Sequence, residues 1–486
     1  MTTHVGDNGI DALFAPPGVR VLPDGSGGAL LTWEDDWYGW VFVQRLDANG
    51  NRMWSDTGVR IAPDSPFQAA PGLVSDGAGG MIVAFVDGRA GFCDYGFRGS
   101  CQIYVQRFDA SGNPLWQSDG IPIDTASGNQ GNSGIAIASD GTGGAFLSWE
   151  DARNCCAIYA QHISNAGQVL WTTNGVAVSP SPTLAIGSID LPPVITSDGA
   201  GGALVAFWNI QVPNNQNPLV SMQRLDPQGN YIRPASGAPV SLHLIDTNES
   251  DITLYFQMVP DGVGGAIVAA VDNQVNVSIP RLVKVQRIDQ NGQNLWQANG
   301  VPVTTAVVDQ TYPELLADGT GGALVAWRNC VPSQGEACNI FAQRLSSSGQ
   351  GVWGAQGVSI SSAPGVKGAQ QIVSDANGGA FIFWNDCRNF TYPGQLFTCY
   401  VQMDIFGQRV NGQGETMWLK DGFPISAAAG NQGVPYTEDF TNPSYAVSAD
   451  GQGGILLAWP DGRNNPCSAA NNAESQCDLR AQHVIP

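Results

Sequence analysis

Three observations in this 486-residue sequence predict an all-β chain of eight four-stranded units closed into a ring, an eight-bladed β-propeller. First, Asp140-Gly141-Thr142-Gly143-Gly144-Ala145-Phe146-Leu147-Ser148-Trp149 has near copies beginning at Asp24, Asp76, Asp198, Asp261, Asp318, Asp375 and Asp450. Second, each of the first seven copies is followed by three more short apolar segments separated by Gly and Asn turn signals, and no stretch keeps a 3.6-residue period. Third, the eighth copy stops after its third segment, Ala481-Gln482-His483-Val484, while Asp7-Asn8-Gly9-Ile10 at the other end aligns with Ala298-Asn299-Gly300-Val301 of the fifth. An N-terminal strand, within 1–15, is therefore expected to complete the last blade and close the ring, which removes exposed sheet edges. Blades are expected to start near 19, 71, 135, 193, 255, 313, 370 and 444.

Within a blade the elements follow from local chemistry. Asp-Gly-x-Gly-Gly reads as a hairpin between the innermost and second strands, where Gly supplies positive φ and Asp bonds turn amides. The second strand is apolar, as in Ala29-Leu30-Leu31-Thr32-Trp33. The third carries a Gln: Gln44, Gln106, Gln161, Gln223, Gln286, Gln343 and Gln482, with Gln402 or Gln408 in the seventh repeat. A Gln inside a sheet stack must be hydrogen-bonded, and a tie from blade to blade is expected of it. After the next turn comes a Trp (Trp54, Trp116, Trp171, Trp296, Trp353, Trp418), replaced by Tyr231 in the fourth repeat and expected to pack between blades.

Composition narrows the function. Lys+Arg is 21 against Asp+Glu 42, a formal net charge of -21. Such a surface repels phosphates, so nucleic acid and anionic lipid are disfavoured partners. No run of about 18 apolar residues is present to span a membrane. Met1-Thr2-Thr3-His4 does not read as a signal peptide, so an export signal is expected to be removed or to lie outside this sequence.

The ten cysteines fall in local pairs: Cys93 and Cys101, Cys155 and Cys156, Cys330 and Cys338, Cys387 and Cys399, Cys467 and Cys477. Each pair occupies the same segment of its repeat and none is left over, which reads as five disulfides and a secreted or extracellular protein. Zinc is the rival, but no His stands near the pairs.

The cysteines lie between strands two and three. That connection and the one to the next blade leave the same face. One face therefore carries the stapled, variable loops, and function is expected there. At the loop roots sits Asp-x-Arg: Asp87 and Arg89, Asp151 and Arg153, Asp386 and Arg388, Asp461 and Arg463. Asp35, Asn209, Asp272 and Asn329 hold the acid position without the Arg. The phrase reads as an in-blade ion pair that shapes the loop, or as a ring of charges for a ligand. Repeat one departs most, with Glu34-Asp35-Asp36-Trp37-Tyr38 and no cysteine. Carboxylates beside aromatics can bind sugar. A glycosidase would need its two carboxyl groups about 5–9.5 Å apart across the bond. No catalytic residue is assigned.

No cofactor is expected. Ca²⁺ is the one metal the acidic turns admit, though each turn offers one carboxylate where Ca²⁺ wants six to eight oxygens. His162 and His483 stand where other repeats place Arg and read as solvated surface. No Gly-x-Ser-x-Gly elbow, haem site or phosphate loop is present. Asn248, Asn276 and Asn389 head glycosylation sequons.

The combination Asp-Gly-x-Gly-Gly, Trp-x-Asp-x-Arg and Gln-Arg-x-Asp-x-x-Gly-x-x-x-Trp resembles tandem repeats of secreted bacterial proteins. The resemblance covers nearly the whole chain and implies an extracellular propeller. Asp47-Ala-Asn-Gly50-Asn-Arg-Met-Trp54 and the adjacent Cys155-Cys156 also resemble quinoprotein alcohol dehydrogenases. Those are eight-bladed propellers with tryptophan docking and an adjacent-cysteine disulfide over the quinone. The motif here is one residue shorter between Asp and Gly, and no calcium-binding set or catalytic Asp can be placed. The expected role is a non-catalytic module engaging a protein or glycan on the loop face. A propeller enzyme is the alternative, and self-assembly as a structural subunit is a third role such a face admits.

Overall fold

The computed structural model describes residues 2–3, 19–35, 39–91, 93, 99–154, 157–179, 192–209, 219–233, 240–242, 255–272, 280–330, 338–388, 403–428, 432, 445–461 and 478–485. These form eight antiparallel sheets, an eight-bladed β-propeller with four strands per blade. The fourth sheet has an extra strand, Val240–Leu242, paired with Leu219–Leu225. The one helical element among the described residues is a single 3-10 turn, Ala152–Asn154.

Blade 1 shows the plan: Val19–Pro23, Ala29–Asp35, Trp40–Leu46 and Val59–Arg60, each pairing with the next. First strands touch first strands around the ring, so they line the central channel. Second strands such as Met81–Asp87 are buried along their whole length, which is why they read as unbroken apolar runs. Eight apolar clusters fill the eight seams between blades, blade 1 against blade 8 included. In blade 8, after Ala446–Ala449, Ile455–Asp461 and Asp478–Val484, the fourth position is taken by Thr2–Thr3, paired with Arg480 and Leu479. The chain's first strand thus completes its last blade. Asp7–Ile10 lies outside the described residues.

The Asp hairpins do two jobs. Asp24 Oδ1 accepts the amides of Ser26 and Gly28, both at 2.8 Å. Its Oδ2 is 2.9 Å from Arg45 of the third strand. The same pairing recurs as Asp76–Arg107, Asp198–Arg224, Asp261–Arg287, Asp318–Arg344 and Asp375–Arg409. His162 and His483 take the Arg place, with Nε2 at 2.9 Å from Asp140 and 2.8 Å from Asp450. The expectation of solvated histidines is corrected: His162 is buried and His483 partly so, each spent on the hairpin of its own blade. Burial works against ionisation of Asp140, but His162 and the turn amides hold its carboxyl below the usual value.

The strand-three glutamines are not ties between blades. Gln44 Nε2 donates to Ser55 O at 2.6 Å, and its Oε1 accepts the Trp54 amide at 3.1 Å, all within blade 1. Gln408, not Gln402, plays this part in blade 7. In blades 1, 3, 5, 6 and 7 the Gln accepts the amide of its Trp, and in blades 1, 3, 5 and 6 that Trp bonds across the seam. Trp54 Nε1 donates to Ala110 O at 3.2 Å, Trp171 to Pro227 O at 3.0 Å, Trp296 to Ser347 O at 2.9 Å and Trp353 to Gly412 O at 3.1 Å. Tyr231 does not substitute in this role, since its hydroxyl turns back to Ala177 O of blade 3. A different glutamine reaches between blades. Gln68 and Gln310, on innermost strands, accept the Val41 and Val283 amides of the preceding blades at 3.1 and 2.9 Å.

Candidate functional site: the loop face and the channel mouth

The ends of the second strands mark the loop face, and a repeated knot anchors the loops there. In blade 2, Asp87 is fully buried and takes Arg89 through its amide at 2.8 Å, Nε at 2.8 Å and Nη2 at 2.7 Å. The guanidinium carbon sits 3.8 Å from the Tyr104 ring centroid, and Nη2 also donates to Asp119 O at 2.6 Å. Blade 7 repeats this with Asp386, Arg388, Phe406 and Asp421 O. Blade 3 repeats it with Asp151, Arg153, Tyr159 and Asn174 O. A strand end, a loop root, the third strand and the approach to the fourth are thereby locked together. Guanidinium on an aromatic face adds to the ion pair. Each Asp-x-Arg pair lies within one blade, and Arg153 and Arg388 also reach Asp124 and Ser361 on the fourth strands of the preceding blades.

The other blades vary the theme. Asp461 pairs with Arg480 at 3.2 Å, and Arg463 lies outside the described residues. Asp272 pairs with Lys284 at 2.5 Å. Asn329 accepts Trp327 Nε1 at 2.7 Å. In blade 1, Glu34 and Asp35 are buried, and Glu34 accepts the Ala70 amide of blade 2. Asp36, Trp37 and Tyr38 lie outside the described residues.

Two staples are described, Cys93–Cys101 and Cys330–Cys338, with Cα–Cα distances of 5.1 and 4.2 Å. Both sit above second-strand ends on the loop face. Cys387 is also disulfide-bonded. Cys155, Cys156, Cys399, Cys467 and Cys477 lie outside the described residues, as do all three sequons. Among the described residues no three His, Cys, Asp or Glu gather as metal ligands, and no helix is long and apolar enough to cross a membrane.

Blade 3 adds a second acid to its knot. Asp124, fully buried at the end of the fourth strand of blade 2, reaches across the seam to share Arg153 with Asp151, and Trp149 Nε1 bonds both at 3.0 and 3.3 Å. Burial, then the facing Asp151 carboxylate, pushes Asp124 up to about 8, so it holds a proton where a free Asp has lost it. The unfolded chain sheds that proton near pH 4. Stability therefore drains as pH rises from about 4 to about 8, because the folded state alone must keep the proton. Asp124→Asn, which mimics the protonated form, is expected to gain melting temperature over the wild type as pH rises through that window. A difference that stays constant from pH 5 to 9 would refute the shared proton.

Residues that sequence reasoning missed lie where loops meet the channel. A Gln four positions after an Ala returns to that Ala carbonyl in Gln130–Ala126 at 3.2 Å, Gln310–Ala306 at 3.3 Å and Gln432–Ala428 at 3.4 Å. Lys367 does the same to Ala363 O. The Ala-x-x-x-Gln spacing was available as a signal. Just beyond it the innermost strand bulges in blades 2, 3, 6 and 7. Tyr255, Gln257, Tyr312 and Glu314 gather at this level in blades 5 and 6.

Fold and site together define an eight-bladed propeller with a stapled loop face above a polar channel wall. No protein-family model matches the chain, and no curated protein does. Among solved structures it is similar to a polysaccharide lyase, an ulvan lyase bound to -[GlcA(1-4)Rha3S]-, at TM-score 0.48 and 10% identity over 86% of this chain and 97% of the lyase. It is similar to an α-L-arabinanase of Penicillium chrysogenum at TM-score 0.39 and 11% identity, over 72% of this chain and 94% of that one. It is similar to a Hadza microbial sialidase at TM-score 0.34 and 11% identity, over 92% of this chain and 74% of the sialidase. Similarity at this level assigns no chemistry to the chain.

Proposed function

We propose that the protein is a secreted, non-catalytic binding module whose stapled-loop face engages a protein or glycan partner. One observation carries this reading: buried Asp-Arg-aromatic knots hold the loop roots of blades 2, 3 and 7. The loops themselves are left to differ in length and sequence from blade to blade. Rigid roots under variable loops lower the ordering cost of binding. The repeat's own charges are consumed in the scaffold, so contacts fall to loop residues such as Asp36, Trp37 and Tyr38. Two local disulfides support an oxidising, extracellular setting.

The test immobilises the protein on a glycan array and uses it as bait with extracellular protein fractions. A partner should bind the wild type and lose about tenfold or more in affinity with Trp37→Ala plus Tyr38→Ala, the loss of aromatic anchors. Asn49→Ala plus Ser111→Ala, in exposed turns on the hairpin face, should leave it unchanged. No binder in either screen, or binding that follows the hairpin-face variant, would overturn the reading.

A further inference from the structure

Blades 5 and 6 line their arc of the channel with polar side chains that the repeat does not require. The Tyr255 hydroxyl donates to Glu314 Oε1, joining blade 5 to blade 6. Gln257 Nε2 lies 2.8 Å from Tyr255 Oη and 3.5 Å from Glu314 Oε1. The Tyr312 ring meets Tyr255 edge-on, centroids 5.6 Å apart, and carries the Arg328 guanidinium carbon 4.0 Å from its centroid. Gln370 of blade 7 donates to Tyr312 O, and Tyr445 of blade 8 donates to Ala369 O at 2.8 Å.

Register shows the asymmetry. Gln257, Glu314 and Gln371 pair with Ala269, Ala326 and Phe383. The same step in blades 2, 3 and 4 holds Gly72, Ala136 and Val194, paired with Ala84, Ser148 and Ala206. Blades 5, 6 and 7 therefore carry polar residues at a step where blades 2, 3 and 4 carry small or apolar ones and blade 1 carries Arg20. In a ring of eight, Glu314 of blade 6 stands opposite Gly72 of blade 2.

Tyr312 exceeds what the fold needs. It occupies the left-handed position of the bulge, φ 49°, where blades 2 and 7 place Ala70 at 52° and Ala369 at 51°. A bulky residue is disfavoured at such a φ, and alanine builds the same bulge. Non-glycine residues held there concentrate at ligand sites.

We propose that this arc is a saccharide-binding site within the channel, separate from the loop-face site. Glu314 and Gln257 receive the hydroxyls of a neutral sugar ring. Tyr312 flanks the ring. Acceptor, amide and aromatic groups gathered together match a ring with a hydroxyl rim and an apolar face. The net charge of -21 and the Glu314 carboxyl disfavour an anion.

The groups facing Glu314 predict a pH dependence. Burial pushes Glu314 up to about 7 against the Tyr255 hydrogen bond. Burial and then Glu314 hold Tyr255 well above its usual value, with Arg328 opposing, so Tyr255 stays the donor. Tyr445 is raised by burial and by Glu314 as well. Arg20, at the same level of the wall, is lowered to about 10 by burial, opposed by Glu34. A sugar hydroxyl donates more strongly to the ionised carboxyl, so affinity should rise as pH climbs through about 7.

The full chain is titrated calorimetrically with glucose, galactose, mannose, xylose, cellobiose and lactose at about pH 6 and pH 8. At least one sugar should bind, more tightly at the higher pH. Glu314→Gln should weaken it about tenfold, the scale of one charge-assisted hydrogen bond, and abolish the pH dependence. Tyr255→Phe, which keeps the ring, should weaken it by a smaller factor. Matching melting curves show that both variants are folded. Absence of binding by all six sugars overturns the proposal. So does equal binding by both variants, or loss that follows Trp37→Ala instead of Glu314→Gln.

Discussion

Asp386→Ala is expected to cost about 3–5 kcal/mol of stability, the scale for removing one partner of a buried ion pair. Asp386 is fully buried and accepts from Trp384 Nε1 at 2.7 Å, from the Arg388 amide at 2.8 Å and from Arg388 Nη2 at 2.6 Å. Removing the carboxylate takes the acceptor from the Trp384 indole N–H and leaves the Arg388 guanidinium without its counter-charge, held only by neutral oxygens such as Asp421 O. Buried Lys367 pairs with Asp386 in the sheet register and is already lowered by burial, with Asp386 opposing. It would lose that support too. Replacing both charges, as Asp386→Leu with Arg388→Met, should recover much of the loss, because no unpaired ion remains. Denaturant unfolding of the two variants decides this. A loss below about 1 kcal/mol for the single variant would mean that the knot is an exposed, screened pair of small worth.

Trp353→Ala should cost a comparable amount, about 3–5 kcal/mol. The effect should appear at the seam between blades 6 and 7. Trp353 is buried in the cluster that fills that seam, and its Nε1 donates to Gly412 O at 3.1 Å. Its ring lies on Gly414, whose φ is 86° and whose added Cβ would come 2.8 Å from the indole. Gly414→Ala should therefore disturb the same seam from the other side. Trp353→Phe keeps most of the apolar contact and loses one hydrogen bond, about 1 kcal/mol. Hydrogen exchange would show faster opening in Val358–Ser361 and Phe423–Ser426 than in blades 1 to 4. Uniform acceleration around the ring would mean that the indole is not a local fastener.

How much of this was legible in the sequence depends on how local each interaction is. The blade count could be read because Asp-Gly-x-Gly-Gly is a local turn: Asp24 bonds amides two and four residues on. The loop face could be read from strand order alone. The partners of Gln44 and His162 could not, because each is set by the path of a neighbouring strand or turn. Asp140 lies 22 positions from His162. Gln223 shows the dependence from the other side. Where the fourth repeat lacks the Trp, both of its buried amide atoms have no partner among the described residues. The channel cluster was harder still. Tyr312 and Glu314 sit in a first strand and Tyr255 immediately before one, in segments which the repeat leaves free to vary. They meet only because adjacent blades bring one register level together. The sequence does carry one hint: Gln310-Thr311-Tyr312-Pro313 matches Gln68-Ala69-Ala70-Pro71, with Tyr where Ala suffices.

The central claim is that the repeat builds the scaffold and that its variable loops do the binding. Hydrogen–deuterium exchange of the protein with and without its captured partner tests this most directly. Protection should fall on the connections between strands two and three and between successive blades, around residues 88–101 and 331–337, and leave the Asp-Gly-x-Gly-Gly hairpins unchanged. Protection concentrated on the hairpins at Asp24, Asp76 and Asp140, with the loops unaffected, would contradict it.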